Sequence, residues 1–94
     1  MNDKELYQQK MEAHLDEMKG ELTKLKAKAS DASADTQIEI NKKIDELERN
    51  IDENKDKLDE LSKSSGEAWK TLKSGIDSSW SNLSSSIKDA TSKF

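Results

Sequence analysis

Three places in this sequence hold residue types at spacings that chemistry uses. Asp52, Asn54 and Asp56 stand at the alternate positions that open a calcium-binding EF-hand loop, where oxygen ligands face a hard cation. The pattern then breaks. Lys57 occupies the position where that loop turns on a glycine, and Lys63 the position of its bidentate glutamate. His14 has Glu17 three residues further on, so a helix would put imidazole and carboxylate on one face. One histidine in a chain without cysteine is a poor ligand set for a transition metal, and His14 reads instead as a flank of an apolar seam. The serine run Ser84 to Ser86 has no neighbouring base to make a nucleophile. Asn82-Leu83-Ser84 is a glycosylation acceptor only in a secreted chain. The sequence therefore points away from an enzyme, and from any cofactor or metal.

Composition narrows the classes further. The chain has 94 residues, 31% apolar and 38% charged, with 16 basic against 20 acidic side chains and a mean hydropathy of −1.06. Leu, Ile, Val and Phe number 16, a fraction at which disorder competes with folding. A net charge of only −4 and strict apolar periodicity oppose disorder. Proline is absent and glycine occurs three times, which suits helix. Mild acidity without a basic block argues against a nucleic-acid partner. No apolar leader opens the chain and no apolar run approaches the ~18 residues of a membrane span, so a cytoplasmic protein is expected.

Any site must be positioned by three segments, at about 3–30, 37–62 and 66–93, read as one all-helical domain. Met11, Leu15, Met18, Leu22, Leu25, Ala29 and Ala32 follow one another at alternating steps of four and three, the a/d seam of a helix. Ile40, Ile44, Leu47, Ile51, Asn54, Leu58 and Leu61 do the same. Asn54 either sets register as a lone polar seam residue or merely weakens the seam. Between the two seams the phase slips by one residue within Ser30 to Thr36, where Ser, Asp and Thr favour turns. Thr36 with Glu39 fits a capping box, as does Ser64 with Glu67 beside Gly66. The second junction differs from the first in one respect: Leu58, Leu61, Ser65, Ala68 and Leu72 keep the heptad phase straight through it. Acid-before-base pairs Glu39–Lys43, Asp45–Arg49, Glu53–Lys57 and Asp59–Lys63 sit at i,i+4 on the outer faces.

The third segment departs from the heptad. Trp69, Leu72, Ile76, Trp80, Leu83, Ile87, Ala90 and Phe94 fall in a stripe about 80° wide, following an eleven-residue period of about 3.67 residues per turn. The opposite face is mainly serine, and serine is a weak helix former, so this helix depends on its stripe being covered. The stripe either packs on the other two helices or faces a partner helix or a membrane surface.

A charged heptad region followed by Ser-Gly-Glu-Ala-Trp at 65–69 and a Trp-x-x-Leu-x-x-x-Ile repeat ending in Phe94 resembles the small bacterial coiled-coil-domain proteins. That resemblance implies a coiled-coil fold and no particular activity. The eleven-residue period is also similar to that of exchangeable apolipoproteins and late embryogenesis abundant proteins. The apolipoproteins punctuate their repeats with proline, which is missing here.

The expected fold is thus all-α, an antiparallel three-helix coiled-coil bundle with turns near 31–36 and 63–66. The alternative is a helical hairpin whose second helix runs from 37 to 93 and self-associates; Ile44, Leu47 and Ile51 would suit such a two-stranded contact. The expected function is non-enzymatic, through helix seams with itself or another helical protein, with Trp69, Leu72, Ile76, Trp80, Leu83, Ile87 and Phe94 as candidate contact residues. The alternative is a peripheral lipid-surface or stress-protective protein using residues 66–94. Membrane-surface helices line their polar face with Lys or Arg, and this face has four lysines among many serines, which favours protein contact.

Overall fold

The computed structural model describes residues 2–94, and the described chain is three helices with no strand: α1 (Asp3–Ser30), α2 (Ala34–Lys63) and α3 (Ala68–Lys93). They form an up-down-up bundle of 52 × 19 × 18 Å. Lys4 at the start of α1 meets the end of α2 through the Ser64 carbonyl, so those two helices are antiparallel. Tyr7 and His14 of α1 meet Asp77 and Trp80 of α3 in the same order, so α1 and α3 run parallel.

Helix ends follow from local chemistry. Asn2 caps α1, its Oδ1 accepting from the Glu5 N–H at 2.9 Å, with Asp3 and Glu5 favourably placed in the first turn. The first turn is shorter than expected, residues 31–33, because α2 starts at Ala34 behind extended Ser33. The Thr36–Glu39 capping box does not form. Thr36 lies inside the first turn of α2, where its hydroxyl accepts from the Ser33 hydroxyl at 3.1 Å.

The second turn, 64–67, settles the fold between the bundle and the long hairpin. Ser64 leaves the helix at ψ 150 and Gly66 takes φ 60, a left-handed conformation that glycine adopts without steric penalty. The folded chain is therefore broken here. Glu67 makes no side-chain cap, so the Ser64–Glu67 capping box is also absent, and α3 starts at Ala68 rather than 66.

The core follows the seams. Met11, Leu15, Met18, Leu22, Leu25 and Ala29 are buried on α1, all seven seam residues including Asn54 on α2, and Ile76, Leu83, Ile87 and Ala90 on α3. All of them but Asn54 form one apolar cluster spanning the three helices. α3 packs closely on α2 and thinly on α1. Of the four i,i+4 pairs expected outside, only Asp59–Lys63 closes, at 3.1 Å. Lys26 and Glu48 instead bridge α1 to α2 at 2.8 Å.

Candidate functional site

The contact stripe of α3 divides once the bundle forms. Ile76, Leu83 and Ile87 are fully buried, while Trp69, Leu72, Trp80 and Phe94 are half-buried and lie against the core from its edge. With Ala90, these three are the part of the stripe that the bundle buries, and both indoles are left half-buried beside α1.

Each indole meets an aromatic ring of α1. The Trp80 ring stacks on His14 with centroids 4.7 Å apart and planes at 20°. This contact occupies His14, which has no ligand-like partner; its Nδ1 is buried without a hydrogen bond. Trp69 tilts against Tyr7 at 6.3 Å. Tyr7 is absent from the expected seam: it stands four residues before Met11, where the alternation of four and three calls for a step of three and reaches Gln8. It is buried, and its hydroxyl donates to Asp77 Oδ1 at 2.6 Å. Lys73 pairs with the other Asp77 oxygen at 3.0 Å and sits over the Tyr7 ring at 5.1 Å.

This cluster perturbs its own titration. Burial and the hydrogen bond to the Asp77 carboxylate push the Tyr7 phenol well above the usual tyrosine range. Partial burial works to raise Asp77, but the Tyr7 hydroxyl and the Lys73 ammonium outweigh it and hold the carboxyl below its ordinary value. The group is a polar clamp that seats the start of α3 on the start of α1.

The remaining chemical candidates are dispersed by the helices that hold them. Asp52 and Asp56 are exposed on α2 while Asn54 between them turns into the core, so the three oxygens cannot converge on a cation. Among the described residues no three His, Asp or Glu side chains come together in a metal-binding group. Asn54 donates back to the Asn50 carbonyl at 2.9 Å, and its Oδ1 is buried without a partner. Open grooves follow the helix pairs. One of about 450 Å³ between α1 and α2 is lined by charged and polar side chains such as Glu12, Asp16, Lys19 and Lys55. Another, of about 510 Å³ between α1 and α3, runs past Met18, Gly20 and Ile87. No helix among the described residues is long and apolar enough to cross a membrane.

Compared with family models, with curated proteins and with solved structures, the chain matches none.

Proposed function

We propose that this is a non-enzymatic interaction protein of the cytoplasm that works through coiled-coil-type helix packing, with α3 as the contact element and a second helical chain, its own copy first, as the partner. The observation that carries the reading is the division of the α3 stripe: the bundle buries Ile76, Leu83, Ile87 and Ala90 and leaves Trp69 and Trp80 half-buried at the seam where α3 meets α1 most thinly. Indole rings at a rim supply large rigid contact area at low entropic cost, which is why tryptophan concentrates at protein interfaces. The resemblance of residues 65–94 to coiled-coil-domain proteins supports the same reading. The polar face of α3 supports it against the lipid-surface alternative, because membrane-surface helices line that face with Lys or Arg and here it is mainly serine with four lysines.

Sedimentation across a wide concentration range, with and without anionic vesicles, tests it. Association should grow with concentration in buffer alone, and vesicles should take up no protein. A protein monomeric at every concentration that pellets with vesicles would overturn this reading in favour of the lipid-surface one.

A further inference from the structure

We infer that the turn at Ser64–Glu67 is a hinge that can straighten into helix, and that the partner of the chain is a second copy which exchanges α3 with it; this rests on the self-association reading above.

Four observations converge on that hinge. The first is register. A turn frees a chain from heptad phase, and the first turn does slip it by one residue, yet Leu58, Leu61, Ser65, Ala68 and Leu72 run in phase through the second. Beyond Leu72 the steps to Ile76 and Trp80 are both four, an eleven-residue segment, and steps of three and four resume to Phe94. A helix continuous from Ala34 to Lys93 would thus carry one unbroken apolar stripe. The folded monomer makes no use of that continuity.

The second is the hinge conformation. Among the described residues only Gly66 has a positive φ, of 60, and a Cβ built on it would meet nothing within 4 Å. Backbone preference alone therefore holds residue 66 in the turn. The third is the lock. Lys4 Nζ donates to the carbonyls of Ser64 at 2.8 Å and Ser62 at 3.3 Å, groups at the end of α2 that a continuing helix would satisfy itself. The fourth is topology. If α2 and α3 fuse into one rod of about 90 Å, two such rods lie antiparallel, and each end rebuilds the bundle from α1 and α2 of one copy with α3 of the other. α3 still runs antiparallel to α2 and parallel to α1, so the clamp of Tyr7 on Asp77 and the stack of His14 on Trp80 re-form between chains. Exchange of an identical element keeps these contacts at little cost. The small side chains at 64–66 leave room for two rods to cross.

Three variants test the hinge. Gly66→Ala penalises the left-handed turn and favours helix at both hinges of a dimer, and should lower the dimer dissociation constant on the order of a thousandfold. Lys4→Met removes the lock and should shift it the same way by less. Ser65→Pro blocks the fused helix yet suits the turn, because Ser64 already has the extended backbone that precedes proline, and should hold the chain monomeric. Sedimentation reads the assembly, and circular dichroism checks that each variant keeps its helix.

Geometry is read by spin labels on Lys42→Cys and Asp89→Cys, which line one groove between α2 and α3 in a chain without native cysteine. With labelled chains diluted in unlabelled protein, the Ser65→Pro monomer should give a short distance, and the Gly66→Ala dimer about 70 Å within one chain. A helical Gly66→Ala protein that stays monomeric overturns the exchange. Should that variant fail to fold, an unshifted Lys4→Met overturns it equally. Dimers whose labels stay close overturn the exchange while leaving self-association standing.

Discussion

Tyr7 and Asp77 show how one side-chain pair can join elements distant in sequence. Tyr7→Phe removes the donor while leaving the partly exposed carboxylate free to take up water, so the loss should be about 1 kcal/mol near neutral pH. The pH dependence follows from the two directions of shift. The Asp77 carboxyl is held low, so its contribution is present above the ordinary aspartate value of about 4 and is lost as pH falls through its folded value. The Tyr7 phenol is held high, so its contribution is present below the ordinary value of about 10 and is lost as pH rises towards its folded value. Urea melts of wild type and Tyr7→Phe should therefore differ most between about pH 5 and 9 and converge at both extremes. A gap that stays constant with pH would mean the clamp contributes by packing alone. Asn54 makes the opposite case. Its amide nitrogen is satisfied by its own helix, but the buried Oδ1 is not. Asn54→Leu should raise stability by about 1 kcal/mol, read as several degrees in Tm in thermal melts of a chain of this size.

The helices differ in what holds them. α1 and α2 are built from good helix formers and interlock through complete seams, whereas α3 is serine-rich and depends on its neighbours. Leu22→Ala and Leu47→Ala remove side chains that are 4% and 0% exposed, and each should cost about 2–4 kcal/mol. Leu6→Ala, at a position 51% exposed, should cost little. Thermal melts giving equal losses at all three would refute the seam. For α3 the tryptophans report directly. Half-buried indoles against His14 and Tyr7 should emit at wavelengths between the buried and fully hydrated limits, and anionic vesicles should leave that emission unchanged.

As a whole the molecule is a thin rod, with a Cα radius of gyration of 15.3 Å. A compact globule of this length would measure about 12 Å. Small-angle scattering of the monomer should return a value near that of the rod, and circular dichroism should show a mostly helical chain that unfolds in one transition. So slender a bundle has a high ratio of surface to core, and its stability is sensitive to each seam residue. That is also the setting in which a partner chain supplying the same contacts competes with the chain's own α3.

Read alone, the amino-acid order determined an all-α chain and the apolar seams of its segments, because a 3.6-residue period is a local property visible in neighbouring residues. It carried the register through Ser65 as well, since phase needs no contact to be seen. It could not decide that the chain stops at Ser64. Caps compete there with continuation, and one contact on the side of the turn, from Lys4 to the Ser64 carbonyl, comes from sixty residues away. Nor could it place the tryptophans. A stripe has a width in sequence, but which part of it is covered depends on how closely α1 and α2 approach α3. Tyr7 was not legible as a seam step, because the alternation before Met11 falls on Gln8, and neither was its bond to Asp77, because the two meet only across a turn-back of the whole chain. Periodicity was decided locally, and the edges, clamps and unpaired atoms only when the helices met.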